Sequence, residues 1–148
     1  MKNVQKEEVP LINIERSPLL LLSGVAICAL LVYSTYKLFE AVNPWGFIVM
    51  VPTAILFFQV LWLIMNPFAI VFDDKVEMKQ SLFHNKLWYF VDIKKVGENK
   101  KGKLYITYND DEMEAMSLFG IRPSHTKVLK AEMEKMVSEH LKARELRG

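Results

Sequence analysis

The stretch Leu63–Gln80, LIMNPFAIVFDDKVEMKQ, begins as the end of a long apolar run and finishes as something else. Asn66-Pro67 disfavours further helix, because the residue before a proline is pushed toward extended geometry. FAIVFDD is then a short β-rich run closing on Asp73-Asp74, and VEMKQSLF alternates apolar Val76 and Met78 with polar Glu77 and Lys79. Strict alternation marks a half-buried strand. The reading is therefore a helix that stops near Pro67 and a sheet domain that starts at once.

Upstream, charge is nearly absent. The chain of 148 residues is 51% hydrophobic and 24% charged, yet Pro18 to Pro67 holds only Lys37 and Glu40 as charges. Two runs fall in that block: PLLLLSGVAICALLVYSTY, Pro18 to Tyr36, and GFIVMVPTAILFFQVLWLIM, Gly46 to Met65. At about 1.5 Å per residue each helix crosses most of a hydrocarbon core roughly 30 Å thick. Leu, Ile, Phe and Val favour insertion by about 0.3–0.6 kcal/mol each, enough to outweigh Gln59 and Pro52. Pro52 is expected to bend its helix. Gln59 needs a hydrogen-bond partner, expected on the neighbouring helix. Gly24, with Ser23 and Ala26, supplies small residues for helix packing.

The first run is not a cleaved secretory signal: it is long, lacks a small-residue cleavage site, and a second run follows closely. The link KLFEAVNPW carries Asn43-Pro44 as a turn signal and Trp45 as an interfacial aromatic. So short a link forces a helical hairpin, with both termini on one side. Lys2, Lys6 and Arg16 precede it and Lys75, Lys79 and Lys86 follow it, whereas the turn offers only Lys37 beside Glu40. The excess of positive residues at the outer ends predicts cytoplasmic termini in a multi-pass protein of the inner, cytoplasmic membrane. The sole cysteine, Cys28, lies in the first apolar run, excludes an internal disulfide and reads as a small hydrophobe.

Beyond VEMKQSLF come KLWYF, DIKKVGE, KLYITY and EMEAMSLF, with HN, NKKG and NDD as the expected separators. In SHTKVLKAEMEKMVSEHLKARELR the apolar stripe Leu129, Met133, Met136, Val137, His140 and Leu141 recurs at helical spacing. Ser124 is its expected cap, and the stripe is expected to close one side of the sheet.

Two membrane helices, six or so antiparallel strands and a final amphipathic helix give a fold class: a membrane α-hairpin followed by an α+β domain. In detail this is a pleckstrin-homology (PH)-like antiparallel sheet or barrel capped by the helix. NPFAIVFDDKVEM, LWYFVDIKKV and SLFGIRPSHTKVLKAEM resemble segments of small bacterial membrane proteins in which two N-terminal spans carry a PH-like domain. VPLINIERSPLLLL resembles the strand-like lead-in that some of them have. The resemblance implies fold and membrane setting and brings no site residues. The organisation is a lead-in at 1–17, a hairpin at 18–66 and a PH-like domain at 67–148. The lead-in either pairs with the sheet or does not.

Chemistry is sparse. There is no glycine-rich phosphate loop, nucleophile elbow or zinc-protease helix. His84, His125 and His140 are scattered without a cysteine pair, and the acidic residues of NDDEME lack the spacing of a Ca²⁺ loop. No catalytic residue, metal or cofactor is expected. A net charge of +2 does not argue for nucleic acid. KKVGENKKGK is the one charged patch: Lys94, Lys95, Lys100, Lys101 and Lys103 against Glu98 leave +4. Near an anionic leaflet each lysine gains about 1 kcal/mol; the plainer reading is a solvent-facing hairpin kept soluble by lysine.

The expected function is a non-enzymatic, membrane-anchored binding or scaffold module. Its partners are the lipid bilayer, anionic headgroups, a protein, or a second copy in a homo-oligomer. The alternative is an accessory subunit of a membrane transporter, acting through Gly24, Gln59 and Pro52.

Overall fold

A computed structural model describes residues 9–99 and 102–146. The chain opens with a short strand, β1 (Ile12–Ile14), and turns straight into α1 (Pro18–Glu40). After a four-residue link α2 (Trp45–Met65) returns antiparallel. In the link Val42 takes a positive φ of 51°, and the Trp45 N–H donates to Asn43 Oδ1 at 3.0 Å. The helix runs on through Pro52.

Both helices are long and apolar enough to cross a membrane, and only 11% of the most apolar window of each is buried. That exposure sets them apart from core helices of a water-soluble domain, where such side chains are covered. They pack on each other. A Cβ on Gly24 would stand 3.3 Å from Val60, so the missing side chain lets the helices approach. The buried hydroxyls of Thr35 and Thr53 lie 3.2 Å apart, each also within hydrogen-bond distance of a carbonyl of its own helix, so two protons are shared among three contacts.

After Met65 the chain is extended at Asn66 (φ −118°, ψ 136°), and β2 (Ala69–Val71) follows. Next come β3 (Lys75–Ser81), β4 (His84–Tyr89), β5 (Ile93–Glu98), β6 (Leu104–Tyr108) and β7 (Met113–Ala115). A 3-10 turn, Phe90–Asp92, links β4 to β5, and α3 (Pro123–Glu145) ends the described fold. The strands form two antiparallel sheets, β1-β2-β3-β4 and β5-β6-β7. Neither sheet closes on itself, so of the expected sheet or barrel the described residues form two open sheets and no closed barrel.

β1 pairs with β2 antiparallel, Ile12 opposite Val71 and Ile14 opposite Ala69. The membrane-length hairpin is thus inserted between two hydrogen-bonded neighbours of one sheet. Alternation does the rest: Val76 and Met78 of β3, and Leu104 and Ile106 of β6, point inward and are fully buried. With Phe68, Phe90 and Ile93 they meet Leu129, Met133, Met136 and Val137 of α3 in one core. Burying each large apolar side chain stabilises by about 1.5–3 kcal/mol. His140, at the end of the stripe, is half-buried, and its Nε2 lies 2.9 Å from the Asp73 carbonyl.

Four local expectations are corrected. Ser124 does not cap α3; the helix begins at Pro123 with Arg122 before it and no side-chain cap, in keeping with the fit of proline to a first helical turn. His84 and Asn85 are not a separator but the start of β4, and the turn is Leu82-Phe83. EMEAMSLF yields a strand only at Met113–Ala115, since Met116 to Gly120 must reach across to the helices. Gln59 finds its partner outside the hairpin, as described next.

Candidate functional site at the junction of spans and sheets

Arg16 sits between the last residue of β1 and the first of α1, and it is 6% exposed. Its Nε donates to the Asn66 carbonyl at 3.0 Å and its Nη2 to the Lys79 carbonyl. The guanidinium lies over the rings of Trp62 and Phe68, 5.4 and 5.9 Å from their centroids. One side chain thereby joins the start of α1, the end of α2 and β3. No carboxylate pairs with Arg16 among the described residues, and burial lowers its pKa.

Beside it the backbone crosses to the other half of the fold. Arg16 forms an isolated antiparallel bridge with Ile121, and the Ser17 N–H donates to the Gly120 carbonyl at 2.8 Å. Arg122 donates to Glu15 Oε2 at 2.8 Å, and the Glu15 N–H donates to His125 Nδ1 at 3.1 Å. A cleft of about 450 Å³ opens here, lined by Arg16, Arg122 and Glu15 together with Pro18, Leu21, Ile64 and Met65.

The side-chain carbonyl of Gln59 accepts a hydrogen bond from the Leu82 N–H at 3.0 Å. The polar residue of α2 therefore holds the β3–β4 turn, not α1. At α1, Gly120 has φ +88°, and a Cβ there would stand 2.6 Å from Leu20 Cδ2. Each of the two long apolar helices is thus met by one loop of the sheet domain.

A second polar cluster lies where the two sheets meet. The Glu114 carboxylate accepts from Lys86, from Trp88 Nε1 at 2.9 Å and from the Tyr108 hydroxyl at 2.6 Å. Burial would raise the Glu114 pKa, but these hydrogen bonds outweigh it and hold the carboxyl at about 2. Tyr108 is pushed up to about 12, by burial first and by its bond to Glu114 second. The arrangement is a clasp from β4 to β6 and β7, with every partner engaged, and it presents no nucleophile–base pair.

No family model, curated protein or solved structure matches this chain.

Three of the lysines that the sequence groups, Lys94, Lys95 and Lys103, lie among the described residues. Lys94 pairs with Asp111 across the β6–β7 turn end. Glu98, the one acid in the patch, is engaged by Lys130 of α3 at 2.8 Å. Lys95 and Lys103 are exposed and form no ion pair among the described residues. They are not neighbours, because β5 pairs Lys95 with Thr107 and Glu98 with Leu104. Lys100 and Lys101 lie outside the described residues. The acidic run disperses likewise: Asp110 caps the Glu112 N–H at 3.1 Å, Asp111 meets Lys94, and Glu114 turns into the clasp.

Arg16 carries the junction, yet in the sequence it counts only as one flanking charge. The available signal was its position: an arginine two residues before an apolar run needs partners at the mouth of the span. The identity of those partners, backbone carbonyls from residues 50 and 63 positions away, has no sequence signature.

Proposed function

We propose that this protein is a non-enzymatic, membrane-anchored binding module. Its PH-like domain lies on the cytoplasmic face of the inner membrane and contacts anionic headgroups, a protein partner or another copy. The observation that carries this reading is the insertion of both apolar helices between β1 and β2. Hydrogen-bonded strands on both sides of the hairpin hold the sheets at its mouth, so the domain works at the bilayer surface. Four strands, then three, then a helix against the core is the order of a PH-like domain. Orientation follows from charge: Arg16, Lys75, Lys79 and Lys86 stand on the domain side, whereas Lys37 at the far turn is paired with Glu40 at 2.5 Å.

Anionic lipid is the partner the geometry favours. The cleft beside Arg16 is lined by Arg16, by Arg122 with its partner Glu15 and by apolar residues of α1 and α2, and Arg is suited to phosphate recognition by its planar fork of donors. The test is purification of the full chain in mild detergent, followed by identification of retained lipids and proteins. Retained anionic phospholipid, lost on Arg16→Met with Arg122→Gln, supports the reading. A large transporter in the eluate overturns it.

That outcome would support the second reading, an accessory subunit acting through its helices. It is favoured by one feature, an apolar groove of about 300 Å³ along the hairpin between Val25, Ala29 and Val32 of α1 and Phe57, Leu61 and Ile64 of α2. Small residues beside such a groove allow close approach of a further helix.

A further inference from the structure

The β3–β4 hairpin is closed by only two residues, Leu82 and Phe83, with Ser81 opposite His84. Neither residue takes a positive φ, so this turn makes no demand for the Asn, Asp or Gly that primed hairpin turns need, and its composition is free to follow its surroundings. Here both positions are apolar, and Phe83 is 83% exposed, packed into no core. Its location explains the composition. The Leu82 N–H is bonded to Gln59, which lies six residues before the end of α2. At 1.5 Å per residue that is about 9 Å back along the helix axis. The tip hangs beside the span, below the level at which α2 ends.

At α1 a second loop repeats the arrangement with different parts. Gly120 is pressed against Leu20, the third residue of α1. The residue before it, Phe119, is 81% exposed. Phe119 shares a shallow cleft with Gly102 and exposed Lys103 at the tip of the β5–β6 hairpin. Two unrelated loops that touch the membrane-length helices, one at α2 and one at α1, thus each carry an uncovered phenylalanine next to the touching residue.

We propose that Phe83 and Phe119 are inserted into the bilayer, at the boundary between headgroups and acyl chains. The partner of this surface is lipid. Aromatic side chains gain from that boundary, and a neighbouring lysine reaches outward to the headgroups. The domain is then seated on the membrane at four places, two spans and two loop tips, and its angle to the bilayer is set. This inference rests on the reading that α1 and α2 span the membrane, and deepens it by stating which face of the domain lies against lipid.

The test uses the full chain with its sole cysteine removed, Cys28→Ser, and one new cysteine carrying an environment-sensitive fluorophore. The labelled positions are Phe83→Cys, Phe119→Cys, Ile55→Cys in the middle of α2, and Asp110→Cys in the exposed turn at the other end of β6. The proteins are reconstituted in vesicles of phosphatidylcholine and phosphatidylglycerol, with or without lipid bearing a nitroxide high on the acyl chain. The expected result is blue-shifted emission and loss of most of the intensity to that lipid at 83 and 119, with none at 110. Water-like emission at 83 and 119 with lipid-like emission at 55 overturns the loop insertion alone. Water-like emission at 55 overturns the membrane reading beneath it. Burial at 83 or 119 without quenching by the nitroxide lipid means contact with another protein copy, and also overturns the proposal.

Discussion

Gln59 of α2 and Leu82 of the β3–β4 turn are joined by a hydrogen bond of 3.0 Å, from a backbone N–H to a side-chain carbonyl. A polar side chain in an apolar helix here satisfies the backbone of a different layer. Replacing it by Leu leaves the Leu82 N–H unpaired next to the span, which costs about 1–3 kcal/mol. Gln59→Leu is expected to accelerate hydrogen exchange at the Leu82 amide and to lower the thermal midpoint in detergent, while leaving exchange across β5–β6 unchanged.

Arg16 is the second tie. Arg16→Met removes the donors to the carbonyls of Asn66 and Lys79 and should destabilise by about 1–3 kcal/mol in detergent-solubilised unfolding. Arg16→Lys keeps the charge but loses the planar fork and the stacking on Trp62, so it is expected to rescue less than half of the loss. Full rescue by lysine would show that charge alone matters there.

At Gly120 two penalties coincide, a φ of +88° and the approach of Leu20 Cδ2 to 2.6 Å from an added Cβ. Gly120→Ala is expected to cost about 1–3 kcal/mol from backbone strain alone. Adding Leu20→Ala opens the space but leaves the strain. The double variant should therefore be more stable than the sum of the two single effects predicts, a coupling measurable by a double-mutant cycle.

Acid should loosen the joint between the sheets. The Glu114 carboxyl is held at about 2 in the folded protein against an ordinary 4.5. Its contribution is complete above the unfolded value and disappears as pH falls through that interval, because the unfolded chain takes up the proton first. Glu114→Gln should be less stable than the parent near neutral pH, and the two unfolding midpoints should converge as pH drops from about 4.5 to about 2. A difference that stays constant over that range would rule out the charged clasp.

Thr35 and Thr53 offer a milder test inside the hairpin. Hydrogen bonds between membrane helices are worth only about 0.6 kcal/mol on average. The cycle Thr35→Val with Thr53→Val is expected to give a coupling of that order, and neither single change should separate the helices.

Much of this was legible in the order of residues. The apolar runs state their length and the lack of charge within them, and membrane-length helices need nothing beyond their own composition. Alternation in VEMKQS and LYITY predicts which face is buried, because a strand repeats every two residues. The stripe Leu129, Met133, Met136, Val137 does the same at helical spacing. These are local periodicities, decided within a few residues of chain. Contacts between distant segments are not periodic. That β1 closes on β2 across a membrane-length hairpin, that Arg16 bonds carbonyls at positions 66 and 79, that Gln59 turns to Leu82 and not to α1, and that Lys94 meets Asp111 while Glu98 meets Lys130 all depend on how the sheets meet the helices. Only packing settles them, since a side chain that must satisfy its hydrogen bonds takes whichever partner the tertiary fold brings within about 3 Å.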